Sequence, residues 1–341
     1  MDARRTGAKP AVPVIPLDVE SPVIRSVLVG GLRKGFVALA AIAARLGSTT
    51  EAVEAAVEQL RDSGYNIVRS GGRAAIVKDI PPPGEPIVEL AALNGPIHRF
   101  GVLSDTHLCN KHQRLDLLEE AYNEFAKAKI ATVYHAGNIV DGHAKFNRYE
   151  LLAHGATDQA MYCLDHYPQR RGITTKYIIG TCHEGWWFAR EGLDFGRYLA
   201  MEARERGRKD LVYLGCQEAS VKLRSRGGDA VMTVFHPAAG TSYAISYQPQ
   251  KIVESLQGGE KPAILAVGHF HKLESVMVRN VRVIQAGCMQ DQTRWMRGKH
   301  IEAHLGFYIV ECQQDAKGAI RKFTTTEYNR YDRKYHFGET Q

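Results

Sequence analysis

The stretch Leu103-Ser104-Asp105-Thr106-His107 places an Asp-x-His directly after the apolar run Phe100 to Leu103. An apolar run bounded by polar residues predicts a buried β-strand, and the loop after such a strand carries functional side chains in α/β sheets. Asp and His are ligand types for Zn, Mn or Fe. A lone Asp-x-His is more often a turn than a metal site, so the interpretation depends on the other polar blocks of the chain.

Four more polar blocks follow later in the chain, each at the end of a run rich in Val, Ile, Leu and Tyr. These blocks are Ala136-Gly137-Asn138-Ile139-Val140-Asp141, Gly180-Thr181-Cys182-His183-Glu184, Val234-Phe235-His236-Pro237 and Gly268-His269-Phe270-His271. In the last block two histidines alternate, so on a strand they face the same way. The recurrence of these blocks at predicted strand ends indicates one shared metal site.

In this order the blocks resemble the motifs of the calcineurin-like metallophosphoesterases: Asp-x-His, Gly-Asp, Gly-Asn-His-Asp/Glu, His and Gly-His-x-His. The resemblance covers roughly residues 98 to 312. It implies an α/β fold in which two facing sheets are flanked by helices. It also implies two divalent metal ions (Mn, Zn or Fe), and hydrolysis of a phosphodiester by a metal-bound hydroxide.

The resemblance assigns a role to each block. One metal would take Asp105, His107 and His271, and the other would take Cys182, His236 and His269, with Asn138 between them. His183 would donate a proton to the leaving oxygen, and Glu184 would orient and tune it. Outside this motif His183 would be interpreted as a surface histidine.

Two positions depart from the family pattern. Asn138 stands where the family has a bridging Asp, and an amide offers one neutral oxygen. Two dications about 3.5 Å apart repel by roughly 19 kcal/mol at an effective dielectric of about 20, so we expect at least one metal to bind weakly. Cys182 stands where the family has Asn. A thiolate favours zinc, and the alternative is a small buried residue.

Several side chains near the blocks are candidates for contact with substrate, although each taken singly is more often structural. These candidates are Arg148, His154, Trp186 and Tyr243. The tryptophan belongs to the pair Trp186-Trp187 and could stack on a base. Asp141, His143, Asn147 and Ser242 lie close to the same blocks.

Composition limits the class of protein. The 341 residues suit a small and a large domain, and the net charge of +7 is compatible with a polyanionic partner such as DNA. No apolar run approaches the ~20 residues of a membrane span, and residues 1–21 are predicted to be a flexible tail rather than a signal peptide. Six cysteines without a CxxC pair predict reduced thiols and a cytoplasmic location. The oligomeric state is left open.

Residues 22–80 are predicted to form a small domain. Helices are expected at 22–32, at 37–46 and after a cap at Ser48, Thr49 or Thr50, followed by a hairpin of strands 65–68 and 74–77. This order resembles a winged helix-turn-helix, and the two-domain layout resembles that of phage and prophage proteins. DNA contact would come from the hairpin residues Arg69, Arg73 and Lys78, because the third helix is acidic; the alternative is a protein-docking module.

The rest of the chain is predicted as a proline-rich linker at 81–97, the phosphoesterase domain at 98–312 and a basic tail at 313–341. In the large domain, strands are expected at 100–104, 132–136, 176–179, 220–223, 230–235, 263–267, 275–278, 282–284 and 307–310, and helices at 115–128, 148–165 and 192–206. The tyrosines of the tail and Phe323 are candidates for packing back onto the domain.

Three functions are compatible with these observations. The first is a metal-dependent phosphodiesterase acting on nucleic acid or nucleotides, since the motifs resemble those of the nuclease subunits of DNA-break repair complexes. The second is a degenerate phosphoesterase that binds nucleic acid or protein without turnover, which Asn138 favours. A transcription regulator is the third, and the acidic third helix argues against it.

Overall fold

A computed structural model describes residues 15–91 and 95–331. By internal contacts the chain divides into two compact units, Met1–Lys78 and Asp79–Gln341.

The first unit contains helices and a small sheet. Its elements are α1 (Pro22–Leu32), β1 (Val37–Ala38), α2 (Leu39–Leu46), α3 (Thr50–Asp62), β2 (Ile67–Ser70) and β3 (Arg73–Ile76), and the strand order is β1-β3-β2. The Thr49 hydroxyl caps α3 by accepting a hydrogen bond from the Ala52 amide at 3.2 Å. Buried side chains of the three helices, including Leu28, Ile42 and Val57, form the core of the unit.

The second unit is built on two facing sheets. The first sheet has the order β15-β14-β5-β6-β7-β8, and the second has the order β12-β13-β11-β10-β9-β4. The strands are β4 (Ile87–Leu90), β5 (Ile97–Leu103), β6 (Thr132–Ala136), β7 (Thr174–Ile179), β8 (Leu211–Cys216), β9 (Glu218–Ser225), β10 (Gly228–Phe235), β11 (Ile264–Val267), β12 (Leu273–Val278), β13 (Val281–Ala286), β14 (Gly306–Gln314) and β15 (Ile320–Asn329).

Helices flank these sheets. They are α4 (Leu115–Lys127), α5 (Ala156–His166), α6 (Gly185–Glu191), α7 (Phe195–Glu205), α8 (Tyr247–Ser255) and α9 (Arg294–Gly298). The main core lies between the sheets, where Val102, Tyr134 and Ile178 meet Val221 and Val234. A second cluster packs Val253 of α8 against the outer face of the second sheet. The predicted α/β architecture of two sheets with flanking helices is confirmed.

Strand direction positions the functional loops. Strands β5, β6, β7 and β8 are parallel in the first sheet, and β10, β11 and β13 are parallel in the second. Their carboxyl ends therefore form one edge of each sheet, where ligand sites of α/β folds lie.

Two segments predicted as connections are strands. Ile87–Leu90, within the predicted linker, is β4 and pairs in parallel with β9. Proline density dominated the prediction, but Pro86 precedes the strand and costs it no ladder hydrogen bond. In the predicted tail, β15 pairs with β14, and the Tyr328 ring stacks on Phe307 at 4.5 Å. Phe323 packs against the main core as expected. The basic residues Arg333 and Lys334 and the linker residue Asn94 lie outside the described residues.

Two predicted helices have different bounds. The helix expected at 148–165 begins only at Ala156, because a turn at Asn147 and Glu150 occupies the preceding residues and Gly155 precedes the helix. The helix expected at 192–206 is α7, which Asp194 caps by accepting from the Arg197 amide at 3.1 Å. Gly192, in a left-handed conformation, ends the unpredicted helix α6 instead.

Candidate metal centre

The blocks singled out in the sequence meet at the carboxyl ends of the parallel strands. Asp105 and His107 follow β5, Asn138 follows β6, Cys182, His183 and Glu184 follow β7, His236 follows β10, and His269 and His271 follow β11. Side chains far apart in sequence are thereby brought into contact: the Nε2 atoms of His107 and His271 lie 3.1 Å apart. The two sheets together build one site.

Several predicted ligands have left-handed backbone conformations. Their φ angles are 51° at Asp105, 44° at His107, 54° at Asn138, 79° at His269 and 53° at His271. Non-glycine residues adopt such angles uncommonly, at a cost on the order of 1–3 kcal/mol each, and they cluster at functional sites. The loops are thus held in strained conformations at the place where the polar side chains meet.

Asp105 is the centre of the first ligand group. Asp105, His107 and His271 are buried and offer ligand atoms within 4.8 Å of one another. Oδ1 of Asp105 lies 3.5 Å from Nε2 of His107 and 3.4 Å from Nε2 of His271. Its Oδ2 accepts hydrogen bonds from the Ser104 hydroxyl at 2.6 Å and the His269 amide at 2.8 Å. This arrangement turns Oδ1 toward the histidines.

The charge of this carboxyl is favoured by its neighbours. Burial alone would raise the pKa of Asp105, but the histidines that face it, including the hydrogen-bonded His107 and His271, outweigh burial and hold that pKa well below its usual range. Asp105 therefore remains an anion in the interior, and a buried anion of this kind requires cationic partners or a metal.

Hydrogen bonds from Nδ1 fix the ring orientation of two histidines. His107 donates from Nδ1 to Asp141 at 2.8 Å, and His236 donates from Nδ1 to the Ala136 carbonyl at 2.6 Å. Each ring is thereby turned so that Nε2 is the nitrogen available to a metal, as in metal-bound histidines. Burial lowers the pKa of His236 to about 3, so this ring is neutral, which is the form that binds metals.

Two buried acceptors lie side by side without a donor. Within the described residues, Nε2 of His236 and Oδ1 of Asn138 have no hydrogen-bond partner. A Cβ at Gly180 would lie 2.3 Å from the Asn138 oxygen and 2.8 Å from the His236 nitrogen, so the atoms are neighbours and only glycine fits there. A bound cation would satisfy both acceptors, and the residues present therefore fit the metals that the sequence implies.

The second predicted ligand set is only partly assembled. The rings of His236 and His269 lie 5.2 Å apart, and His269 donates from Nε2 to the Ala239 carbonyl at 2.6 Å, which leaves Nδ1 free. Cys182 is partly exposed and, like His269, lines a cavity beside the ligand group. In the described part of the chain, however, Cys182, His236 and His269 do not form a group with ligand atoms within 4.8 Å.

The ring of His183 is oriented by Asp141 rather than by Glu184. Its Nδ1 lies 3.1 Å from Oδ1 of Asp141 and donates to the carbonyl of that residue at 2.9 Å. Oε1 of Glu184 instead accepts from the amides of Ile139 and Gly180 at 3.1 and 3.2 Å, and so ties two of the blocks together. Burial raises the pKa of Glu184 to about 8, so this carboxyl is neutral at pH 7.

Sequence reasoning gave Asp141 no place among the ligands or catalytic residues. Asp141, His107 and His183 form a second group with ligand atoms within 4.8 Å. The sequence feature that pointed to Asp141 was its position at the end of the second block, three residues after Asn138. A carboxylate behind a metal-bound histidine is a recurrent feature of metal sites, and the spacing could have indicated it.

A cavity of about 480 Å³ opens over the ligand group. His107, Cys182 and His183 line it together with Phe146 and Trp295. The described residues that line the cavity do not include the four predicted substrate contacts. Arg148 instead lies over the Tyr149 ring, and Trp186 stacks on His143. His154 and Tyr243 are exposed. No sequence block contains Phe146 or Trp295, because Phe146 lies in the loop after the second block and Trp295 lies on the short helix α9.

Residues 99–314 match the family model described as the calcineurin-like phosphoesterase superfamily domain. This match spans more than half of the chain, and the protein therefore belongs to that superfamily. A search of curated proteins found no match.

Solved structures similar to the chain include a novel archaeal phosphodiesterase (TM-score 0.36, 13% identity, covering 68% of this chain and 100% of that one). Others are the phosphoesterase Yfce from E. coli (TM-score 0.36, 12% identity, 67% and 98% covered) and GAP50 of Plasmodium (TM-score 0.42, 14% identity, 70% and 90% covered).

Among the helices of the described residues, none has both the length and the apolar composition of a membrane span.

Proposed function

We propose that the protein is a metal-dependent phosphodiesterase that acts on nucleic acid or nucleotides. The observation that carries the proposal is the pair of unpartnered buried acceptors, Asn138 Oδ1 and His236 Nε2, beside the group of Asp105, His107 and His271. Such a cluster is expensive to bury unless cations bind there.

The expected cofactors are two divalent ions of Mn, Zn or Fe. Asp105, His107 and His271 would hold one ion, and His236, His269 and Cys182 the other, with Asn138 between them. When bound, such ions polarise a phosphoryl oxygen and lower the pKa of water. Asn138 adds no negative charge, so the proposal includes weak binding of one ion.

His183 would serve as the proton donor to the leaving oxygen. It lines the cavity, and its ring lies 4.3 Å from that of His107. Because Nδ1 is engaged by Asp141, Nε2 is the nitrogen free to deliver a proton. Asp141 thus positions the donor, and Glu184 supports the backbone of the loop that carries it.

Hydrolysis of bis-p-nitrophenyl phosphate, with Mn²⁺ or Zn²⁺ added, tests the proposal. Turnover by the chain as it stands, lost in His236→Ala and retained in His166→Ala, is the expected result. His166 is an exposed histidine on α5 that stacks on Tyr162, outside the site. Absence of turnover both in this chain and in Asn138→Asp would contradict the proposal.

The second candidate is a degenerate phosphoesterase that binds nucleic acid or protein without turnover. Asn138 favours it, because its Nδ2 donates to Oδ1 of Asp105 at 3.0 Å and partly occupies the ligand oxygen in the absence of metal. Activity that appears only in Asn138→Asp would identify this form as disabled at a single ligand.

We also infer that residues 22–80 form a winged helix-turn-helix that contacts DNA through its hairpin. The sheet order and the position of α3 before β2 and β3 support this. Arg69 pairs with Glu54 at 2.9 Å and Glu58 at 3.0 Å, so its charge is already matched. Arg73 and Lys78 are exposed and are the better candidates for phosphate contact.

A further inference from the structure

An aromatic ridge runs outward from the candidate proton donor. The rings of Phe146 and Trp295, here called the ridge, stack at 5.1 Å with an interplanar angle of 29°. Each is 42% exposed, and Phe146 makes a T-shaped contact with His183, with the ring centroids 5.5 Å apart. Large aromatic side chains left this exposed beside a cavity indicate a binding surface.

The ridge separates two adjoining cavities. Phe146, Trp295 and Glu150 line both the cavity over the ligand group and a second cavity of about 360 Å³. Lys111, Tyr149 and Arg294 complete the second cavity. Tyr149 is 81% exposed, so a third aromatic face is available beside the ridge. The surface is therefore continuous with the candidate metal centre.

The charges along this surface are mainly positive and unmatched. Lys111, Arg294 and Lys299 are exposed, and within the described residues no ion pair involves their charged groups. Of the acidic groups nearby, Asp291 is paired with Arg114 at 3.1 Å, whereas Glu150 lies 3.7 Å from Nε2 of His112 and is the one carboxylate among the described residues that line the second cavity. An anionic ligand would therefore find free cations here.

From these features we infer that the ridge and its cations bind a single-stranded nucleic acid whose scissile phosphodiester enters the first cavity. Bases stack on Phe146, Trp295 and Tyr149, while Lys111, Arg294 and Lys299 contact phosphates. Aromatic platforms interleaved with cations bind single strands, because every base has an exposed face to stack. A duplex keeps its bases stacked within itself and cannot use the platforms. Only the cleavage of the bound strand rests on the proposed function. Binding of the strand to this surface does not depend on it.

The test measures binding by the full metal-loaded chain. Fluorescence anisotropy follows a labelled, phosphorothioate-linked oligothymidylate of about 12 nucleotides, which resists cleavage, across a series of salt concentrations. Lys111→Gln and Arg294→Gln are compared with Lys322→Gln, which removes the same charge. Lys322 on β15 pairs with Gln313 on β14, and Gln313 pairs with Ile97 at the start of β5. Lys322 therefore lies at the end of the sheet opposite to the ligand group.

Lys111→Gln and Arg294→Gln are each expected to weaken binding and to reduce the slope of log Kd against log salt by about 0.7, whereas Lys322→Gln changes neither. Trp295→Ala is expected to weaken binding about tenfold, and Trp295→Phe to restore most of it. The inference would be overturned if Lys322→Gln had an equal effect. It would also be overturned if the three test substitutions weakened binding of a duplex of the same length, or of an oligoglutamate peptide, as much as they weakened binding of the single strand.

Hydrolysis of bis-p-nitrophenyl phosphate separates this inference from the proposed function. That substrate lacks a nucleobase and a flanking phosphate. If it is not hydrolysed although the strand binds in the expected pattern, the proposed function fails and the binding surface stands. If it is hydrolysed but substitution of Lys111, Arg294 and Trp295 leaves strand binding unchanged, the binding surface fails and the proposed function stands.

Discussion

His107 and His183 share one carboxylate, since Nδ1 of His107 lies 2.8 Å and Nδ1 of His183 lies 3.1 Å from Oδ1 of Asp141. The other oxygen, Oδ2, accepts from the side chains of Asn110 at 2.7 Å and Asn147 at 3.0 Å. These hydrogen bonds fix the carboxylate, which in turn fixes both rings. A candidate metal ligand and the candidate proton donor are thus oriented by the same buried anion.

Asp141→Asn should lower metal affinity and activity together. The substitution removes the charge that orients the His107 ring with Nε2 toward the metal, and loss of such outer partners costs about 10–100-fold in affinity or activity. Titration of the apoprotein with Mn²⁺, read by calorimetry and by turnover, measures the effect. Asp165→Asn, which removes a carboxylate of an exposed ion pair with Arg206, serves as the control. Equal affinity in both variants would contradict the role of Asp141.

Asn138→Asp should make the stability of the protein dependent on metal. Without metal, the new carboxylate would face Oδ1 of Asp105, which now accepts from the Asn138 amide at 3.0 Å. An uncompensated buried charge destabilises by roughly 3–5 kcal/mol, so the apo variant should unfold at a lower temperature than the parent. With metal the order should reverse, and metal content should rise. Full and equal metal occupancy in both forms would refute the expected weak site.

The sequence predicted the site better than its surroundings. Asp105, His107 and His271 were recognisable because each stands at the end of an apolar run, and parallel strands bring such ends together. Asp141 was missed as a partner because its role depends on a hydrogen bond across loops. Phe146 and Trp295 carry no local pattern, and only the packing of distant segments places them at the cavity. Ile87–Leu90 and Ile320–Asn329 were missed for another reason: the prolines before the first segment and the charged residues around the second outweighed the strand-forming residues in each.

Cys182→Ala should lower zinc content if the thiolate belongs to the proposed second ligand set. Cys182 lines the cavity beside His269, and a soft ligand favours zinc over magnesium. Metal analysis after dialysis against limiting zinc compares this variant with Cys216→Ala, which removes a buried thiol at the end of β8. Zinc content that is unchanged in Cys182→Ala would leave His236 and His269 without this third ligand.

Glu184→Gln should flatten the dependence of stability on pH in the metal-free protein. Burial raises the pKa of Glu184 from 4.5 to about 8. Between these values the folded state keeps a proton that the unfolded state releases, so the free energy of unfolding falls as pH rises, by about 1.4 kcal/mol per unit. Over the full window the loss approaches roughly 4 kcal/mol. Glutamine keeps an oxygen for the amides of Ile139 and Gly180 but has no proton to lose.

Urea denaturation in chelator between pH 5 and pH 8 measures this effect in the parent, in Glu184→Gln and in Glu205→Gln, an exposed control on α7. His107 also contributes a loss as pH rises: burial alone would lower its pKa, but hydrogen bonds to Asp105 and Asp141 outweigh burial and raise that pKa to about 9. That contribution is common to all three proteins and cancels in the comparison. The difference between parent and Glu184→Gln should therefore grow from pH 5 to pH 8, whereas Glu205→Gln should follow the parent. Parallel curves for all three would show that Glu184 is ionised in the folded state at neutral pH.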